Sequence, residues 1–255
     1  MRFTDTHCHL DFPDYDQDRE AVLASAAQRG VRRLLVPGFS AARWQAAPQG
    51  VIQDVRLVRA LGLHPYCLDD HEDDHLVQLD SGLRQRDASV VAVGEIGLHK
   101  PAGNMARQVE LLESQLELAR CHDLPVILHQ HGAHNEMIRS LKRVPPKAGG
   151  VVHAFAGSRE MAEAYHAMGL FLGLGGVITY PRAAKTRRAV AAMPLEALLL
   201  ETDGPDMPLC GYQGRRNTPA QIPAVFRALC AVRGISDRSA AARQLEHNAD
   251  RLLGA

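Results

Sequence analysis

The chain has 255 residues, of which 46% are hydrophobic and 23% are charged, a composition typical of a folded globular protein and not of a disordered one. Lysine plus arginine equals aspartate plus glutamate at 29 each, so no overall charge draws the chain to nucleic acid or to an anionic membrane. No apolar run is long enough to span a bilayer and "MRFTDTHCHL" lacks the pattern of a secretory signal, so we expect a cytoplasmic protein without membrane contact.

Short apolar runs alternate with longer segments of helical periodicity along the whole chain. The first run, "RFTDTH", precedes a predicted helix at 19–28, and the second, "VRRLLVPG", precedes one at 41–47. The other six pairs are "VRLVRALGLHP" before 72–86, "VVAVGEIG" before 104–121, "PVILHQH" before 135–142, "GVVHAFAG" before 158–168, "LFLGLGG" before 183–192 and "ALLLETDGP" before 219–232. The tail at 237–253 predicts one or two closing helices.

Eight strand–helix units in a chain of this length predict an α/β fold with a parallel sheet that closes into a single (β/α)8 TIM barrel. An open, doubly wound sheet is the alternative. No polar linker or low-complexity segment divides the chain, so we expect residues 1–255 to form one domain. The five cysteines are odd in number and widely spaced, which indicates reduced thiols and neither a disulfide framework nor a cysteine zinc site.

Histidines and carboxylates lie at the ends of six of the predicted strands. In "DTHCHLD", His7 and His9 share one strand face with Asp5, while Cys8 faces the opposite way. The full set is His7, His9, His64, Glu95, His129, His153 and Asp203. Any one of them alone would be read as a core histidine or a helix-capping carboxylate. In a barrel, however, these strand ends converge on one mouth, where active sites of this fold lie, so the whole set predicts a functional site.

Imidazole and carboxylate donors without thiolate suit Zn²⁺ or Mn²⁺, and a carboxylate-rich version would admit Mg²⁺. Four histidines and two carboxylates provide enough donors for two divalent ions about 3.5–4 Å apart with one bridging carboxylate. Such a pair of ions clamps the attacking and leaving oxygens of a phosphoryl displacement. Glu95 lies between the ligands of the first and fifth strands around the rim, which makes it the expected bridge.

The motifs "DTHCHLDF", "ALGLHP", "VVAVGEIGL", "DLPVILH", "VVHAFAGS", "LGLGGVITYPRAAKTR" and "LLLETDGPDMP" resemble the TatD family of metal-dependent deoxyribonucleases, in particular its YjjV-like branch. The resemblance covers nearly the whole chain and implies a barrel of the metal-dependent hydrolase type with 3'-5' exonuclease activity on DNA. It implies that one ion is held by His7, His9, Glu95 and Asp203 and the other by Glu95, His129 and His153. It also implies that His64 lies near the substrate phosphate.

Three positions depart from the family pattern. His99 follows "GEIGL", where the family commonly has an aspartate, and His131 stands where an arginine usually follows the histidine of the fifth strand. The motif "HAFAG" lacks the small polar residues often found there. The six predicted ligands are intact, so these departures bear on substrate preference and on metal preference.

The sequence supports a hypothesis for phosphodiester cleavage. Coordination lowers the pKa of water from 15.7 to about 7, so hydroxide is available at neutral pH to attack phosphorus. Asp203 would accept the proton of that water, and His64 or a metal would stabilise the charge on the phosphoryl oxygens. Cations that could contact substrate are Arg182, Lys185, Arg215 and Arg216, for which solvated surface charge is the alternative.

A neutral chain lacks the broad basic face that a long duplex footprint needs, so we expect short or single-stranded DNA ends as substrate. His131 and His134 either assist substrate binding or lie in a solvated loop. We predict surface positions for the histidines at helical segments, which are His71, His75, His122, His166 and His247.

Two other functions are compatible with the motifs. An amidohydrolase or esterase, for example one that removes a mis-attached amino acid from tRNA, could use the same metal site, although Glu95 stands where many such enzymes have a modified bridging lysine. A non-catalytic metal-binding protein would need its coordination positions filled, whereas six ligands shared by two ions leave room for water. We expect a monomer.

Overall fold

Parallel strands and the helices that connect them follow one another along the chain in the computed structural model, which describes residues 1–254. The strands are β1 (Phe3–Asp5), β2 (Val31–Val36), β3 (Gly50–Ile52), β4 (Val55–Leu61), β5 (Val90–His99), β6 (Val126–His131), β7 (Gly150–Val152), β8 (Leu170–Leu174) and β9 (Leu198–Leu200). The α-helices are α1 (Arg19–Gln28), α2 (Asp74–Arg84), α3 (Met105–Cys121), α4 (His134–Arg143), α5 (Arg159–His166), α6 (Ala184–Ala192), α7 (Ile222–Arg233) and α8 (Arg238–Leu253).

Eight of these strands form a parallel wall in the order β1-β2-β4-β5-β6-β7-β8-β9. Backbone hydrogen bonds then join the last strand to the first. The amide of Thr6 donates to the carbonyl of Leu200 over 3.0 Å, and the amide of Asp203 donates to the carbonyl of His7 over 2.8 Å. We call this junction the β1–β9 seam. It confirms the predicted (β/α)8 TIM barrel.

The segment between β2 and β4 differs from the sequence prediction. The helix expected at 41–47 is wrong, because only Ala41–Arg43 form a short 3₁₀ turn. The indole nitrogen of Trp44 donates to the carbonyl of Gly62 over 3.0 Å, and Pro48 disfavours helical backbone at the residue before it. A segment this short is only marginally stable as a helix, so these contacts decide its conformation. The added strand β3 pairs antiparallel with β4.

Side chains from seven strands of the wall pack together with the end of α8, and the members of this cluster are Leu35, Val58, Ala60, Ala92, Ile127, Val151, Phe171, Leu199, Ala249, Leu252 and Leu253. Arg33 fixes α8 to the wall, because its buried guanidinium lies 2.7 Å from the carboxylate of Asp250. The tail therefore forms one closing helix, and the opposite mouth of the barrel stays open. Within residues 1–254, no helix has the length and apolar character needed to cross a bilayer.

Candidate metal centre

The ends of six strands bring all seven predicted residues to one mouth of the barrel. These are His7 and His9 after β1, His64 after β4, Glu95 in β5, His129 in β6, His153 after β7 and Asp203 after β9. Glu95 lies in the middle of the group and is buried, with 1% of its surface exposed. The convergence predicted from the strand ends is therefore present in the fold.

One oxygen of Glu95 faces three histidines. Its Oε1 atom lies 2.9 Å from Nε2 of His64, 2.8 Å from Nδ1 of His129 and 2.7 Å from Nε2 of His153. The facing nitrogens of His129 and His153 are themselves 3.0 Å apart. This half of the site is thus a compact set of nitrogen donors around a single carboxylate oxygen.

The other oxygen of Glu95 faces the residues of the β1–β9 seam. Its Oε2 atom lies 3.0 Å from Nε2 of His7 and 3.3 Å from Nε2 of His9. The same two nitrogens lie 3.5 and 3.7 Å from Oδ1 of Asp203. Glu95 therefore separates two groups of donors and contacts both, which is the position that the sequence predicts for a bridging ligand.

Close packing of glycine backbones holds Glu95 in place. The amide of Glu95 donates to the carbonyl of Gly38 over 2.8 Å, and the amide of Gly38 donates to the carbonyl of Gly94 over 2.9 Å. The peptide bond between Gly94 and Glu95 is cis. A Cβ atom on Gly62 would lie 2.6 Å from the carbonyl carbon of Gly94, so only glycine fits beneath this part of β5.

Asp203 occupies an uncommon backbone conformation at the seam. Its φ angle is +56°, in the left-handed region that aspartate and asparagine enter more readily than most residues. The hydrogen bond from its amide to His7 fixes this conformation and turns the carboxylate toward the two β1 histidines. The strain is consistent with a functional position.

The hydrogen bonds of His64 define its tautomer. Nδ1 accepts a hydrogen bond from the amide of Tyr66 over 3.0 Å, so in the neutral ring the proton is on Nε2, which points at Glu95. Burial lowers the pKa of His64 to about 4, so the ring is neutral at neutral pH. His64 is therefore oriented as a hydrogen-bond donor toward the centre.

The carboxylate of Glu95 and the imidazoles around it shift one another's pKa values. Burial favours the protonated carboxyl of Glu95, but His153, His64 and His7 together hold its pKa well below the usual range. Burial lowers the pKa of His7 well below its usual range, which leaves a neutral imidazole. For His153, burial acts in the same direction, yet the Glu95 carboxylate outweighs it and raises the pKa to about 10.

The donors fit a divalent cation. Three overlapping triads have ligand atoms within 4.8 Å of one another, namely His7, His9 and Glu95; His7, His153 and Asp203; and His64, Glu95 and His129. Glu95 Oε2 is buried and makes no hydrogen bond within residues 1–254, although two imidazole nitrogens face it. Convergent nitrogen and oxygen donors without thiolate are the ligands of Zn²⁺ and Mn²⁺ sites.

Two carboxylates near the centre have other contacts. Asp5, which the strand pattern placed beside His7 and His9, accepts from the hydroxyl of Thr202 over 2.6 Å and so joins the strands of the seam. Glu201 was not identified from the sequence, although it lies in the motif "ETDGP". Its Oε1 accepts from the amide of Ala154 over 2.5 Å, and burial raises its pKa to about 8. Glu201 therefore supports the loop that carries His153.

Histidines beyond the donor set also contact it. His99 Nδ1 lies 3.0 Å from Nε2 of His129, and the ring of His131 packs 4.8 Å from that of His99. His71 was predicted on the surface but is half-buried, and its Nε2 donates to the carbonyl of His64 over 2.8 Å. The two departures from the family pattern, at positions 99 and 131, thus lie beside one predicted ligand.

A cleft of about 750 Å³ opens beside the donors, and we call it the basic cleft because Lys100, His131, His134 and Lys185 line it. Lys185 lies in the cleft beside the donors, and its contact with substrate stays a prediction. Arg182 and Arg215 each lie over a tyrosine ring, at 4.9 and 5.9 Å, and line neither this cleft nor the donor group within the described residues. Arg216 forms an ion pair with Asp18 at 2.5 Å. For these three arginines, contact with substrate stays a prediction.

Comparison with known proteins gives consistent matches along the chain. Residues 4–254 match the family model described as TatD related DNase. The chain is 48% identical over 234 residues to the metal-dependent hydrolase YjjV of Escherichia coli strain K12, covering 91% of this chain and 90% of that protein. It is 32% identical over 260 residues to a Pantoea ananatis protein named 3'-5' ssDNA/RNA exonuclease TatD, covering 98% of both.

The crystal structure of YjjV, a TatD homologue from Escherichia coli K12, has the same fold. Its TM-score with this chain is 0.93 at 45% sequence identity, covering 100% of this chain and 98% of that chain. The similarity therefore extends over the entire barrel and is not limited to one motif.

Proposed function

Since the chain belongs to the TatD family of metal-dependent hydrolases, we propose that it is a deoxyribonuclease that releases nucleotides from the 3' end of single-stranded DNA. The observation that carries the proposal is the position of Glu95, whose two oxygens each face a separate group of donors. This arrangement suits a two-ion site for phosphoryl displacement. A relative that aligns over 98% of this chain is named a 3'-5' ssDNA/RNA exonuclease.

The proposed ions would share Glu95. His7, His9 and Asp203 would complete the ligands of one ion, and His129 and His153 those of the other. Divalent ions bound there would lower the pKa of coordinated water and neutralise charge on the phosphoryl oxygens. The donors suit Zn²⁺ and Mn²⁺ and admit Mg²⁺.

Asp203 is the proposed proton acceptor. Burial raises the pKa of its carboxyl, which brings it closer to the range in which a carboxylate both takes and releases protons near neutral pH. Its carboxylate lies at the open side of the His7 and His9 nitrogens. The proton of the attacking water would pass to this carboxylate while the bond between phosphorus and the leaving oxygen breaks, and the leaving oxygen would then take a proton from the carboxyl.

His64 is the proposed hydrogen-bond donor to the phosphate. Its neutral ring carries the proton on Nε2, since Nδ1 accepts from the amide of Tyr66. A donor fixed in this way stabilises negative charge that develops on a phosphoryl oxygen without a change of protonation state. The tautomer favours this role over that of a metal ligand. In this structure the Nε2 proton points at Oε1 of Glu95, and a bound phosphate oxygen would replace that oxygen as its acceptor.

Local cations favour a DNA substrate. The chain has no net charge, so phosphates would be held by a few residues and not by a broad basic face. Lys100 and Lys185 line the cleft that opens beside the donors. Binding of short single-stranded ends fits this restricted distribution of charge, and a monomer in the cytoplasm remains our prediction from the sequence.

Release of nucleotides from a short single-stranded DNA tests the proposal. Chelator-treated protein should release nucleotides only after Mn²⁺, Zn²⁺ or Mg²⁺ is added, and Glu95→Gln should abolish this release while Glu196→Gln, at an exposed position, should not. If wild-type protein binds the ions but releases no nucleotides with any of them, the nuclease proposal is wrong. The same centre would then be tested on amide and ester substrates, including aminoacyl-tRNA.

A further inference from the structure

A second, smaller cavity of about 270 Å³ also borders the donor group. Three aromatic side chains from three different strand-to-helix connections line it, namely Phe12, Phe39 and Tyr66, and we call it the aromatic cavity. The rings of Phe12 and Phe39 lie 5.2 Å apart, and those of Phe39 and Tyr66 lie 6.4 Å apart. Tyr66 is 64% exposed, so packing of the core does not account for its position.

The aromatic wall is attached directly to the candidate metal centre. The ring of Phe12 stacks on His9 at 4.6 Å, and the ring of Phe39 stacks on His64 at 4.8 Å. The aromatic cavity and the basic cleft also share three lining residues, which are His129, His153 and Asp203. The donors thus lie at the junction of two spaces with different chemistry.

The aromatic cavity and the basic cleft differ in the charge of the residues that line them. Asp206 lines the aromatic cavity, where its carboxylate would repel a continuing chain of phosphates. Lys100 and Lys185 line the basic cleft, and the one glutamate there, Glu136, is paired with Arg139 at 3.0 Å. Phosphates are therefore favoured in the cleft and disfavoured in the cavity, while unpaired bases stack well on exposed aromatic rings.

We propose, on the basis of the proposed function, that the aromatic cavity is a stacking site for the base of the terminal nucleotide. The phosphodiester that joins this nucleotide to the strand would lie at the donors, and the phosphates of the remaining strand would lie in the basic cleft. The aromatic cavity is the smaller of the two and is lined by the acidic Asp206, so it suits one nucleotide. This arrangement makes the protein specific for an unpaired end.

Binding of oligonucleotides in the presence of a chelator tests the stacking site without turnover. The probe is a 5'-labelled pentathymidylate, compared with the same strand carrying an abasic 3'-terminal residue. Removal of the terminal base should weaken binding by about 10-fold, because stacking of one base on an aromatic side chain contributes about 1–3 kcal/mol and 1.4 kcal/mol is tenfold. Tyr66→Ala should weaken binding of the complete strand by a similar factor, and Tyr66→Phe should not.

The losses of affinity caused by removing the terminal base and by Tyr66→Ala should not add, because both changes remove the same interaction. Tyr66→Ala and wild-type protein should therefore bind the abasic strand equally, while Tyr212→Ala, an exposed tyrosine that lines neither space, should behave as wild type on both strands. Equal binding of the two strands by wild-type protein, or full additivity, would overturn the stacking site. Discrimination between the strands without nucleotide release after metal addition would leave the stacking site standing and overturn the nuclease.

The salt dependence of binding tests whether the phosphates of the remaining strand lie in the basic cleft. For single strands, each phosphate contact contributes about −0.7 to the slope of log K against log salt. Lys100→Gln and Lys185→Gln should each lower the magnitude of this slope by about that amount, whereas Lys142→Gln on the exposed face of α4 should not. An unchanged slope in both cleft variants would show that the strand does not lie in the basic cleft.

Discussion

His99 Nδ1 lies 3.0 Å from Nε2 of His129, the ring nitrogen that faces away from Glu95. For the inner nitrogen of His129 to present a lone pair to a cation, the outer one must carry the proton and donate it to His99. His99 thus occupies the position where the family commonly has an aspartate and supplies the acceptor in its place.

We predict that His99→Ala weakens binding of the ion held by His129 by about 10- to 100-fold, the usual effect of losing such an outer partner. His99→Asp should restore or strengthen it, because a carboxylate is a better acceptor. Isothermal titration with Zn²⁺ and Mn²⁺ measures both variants. His131→Ala is the matched control, since His131 packs on His99 without a contact to the ligand atoms, and an equal loss in that control would contradict the assignment.

Substitution of Gly62 tests whether the close backbone packing beneath Glu95 positions this residue. A Cβ atom there would lie 2.7 Å from Cα of Gly94 and 2.9 Å from the amide nitrogen of Glu95, and backbone cannot move aside as a side chain can. We expect Gly62→Ala to lower metal affinity by at least about 10-fold and to destabilise the fold by about 1–3 kcal/mol. Calorimetric titration and urea denaturation measure these two quantities.

Gly82→Ala is the control for this change. Its Cβ would meet only the end of the Leu61 side chain, at 3.2 Å, and its position within α2 favours alanine by roughly 0.5–1 kcal/mol. Stability should therefore be equal or higher and metal binding unchanged. Wild-type affinity in Gly62→Ala would mean that the glycine packing does not position Glu95.

The substitution Asp203→Asn separates the proposed role of Asp203 in proton transfer from its role in the left-handed backbone conformation. Asparagine enters the left-handed region as readily as aspartate, so the fold should be retained at φ +56°. Turnover should fall by about 10²- to 10⁴-fold because the amide cannot accept the proton, while much of the metal binding remains. Asp203→Ala should lose turnover and also melt at a lower temperature. Retained turnover in Asp203→Asn would remove Asp203 from the role of base.

Metal binding should stabilise the folded chain, since the donors converge only in the barrel. At 100 times the dissociation constant, a bound ion adds about 2.7 kcal/mol, which corresponds to a rise in Tm of roughly 5–10 °C for a chain of this size. Differential scanning fluorimetry with and without chelator measures the shift. Glu95→Gln should abolish it, and the assignment of Glu95 as the shared ligand fails if that variant shows the full shift.

The barrel and its donors could be predicted from the sequence because both depend on local patterns. Apolar runs followed by helical periodicity identify the eight parallel strands, and residues at strand ends in this fold must meet at one mouth. Glu95 followed from its place between the other ligands around the rim. The ends of α1, α3 and α6 lie within one or two residues of the predicted bounds.

Features that depend on distant contacts were not predicted. The segment at 41–47 has helix-forming residues, but the hydrogen bond from Trp44 to Gly62 and the following Pro48 override that preference. Strand β3 is three residues long and has no alternation to detect. Phe12, Phe39 and Tyr66 lie in three separate connections between strands and helices, and nothing in their local sequence indicates that their rings share one cavity.

The β1–β9 seam has a consequence for biogenesis. His7 and His9 follow the first strand and Asp203 follows β9, so the chain must be synthesised beyond Asp203 before these donors meet. Contacts this distant in sequence form late and slow the folding of a domain. A nascent chain, or one truncated before β9, would hold only part of the donor set. The donor set, and any metal binding and hydrolytic capacity that it confers, is therefore complete only after the segment that follows β9 has been synthesised.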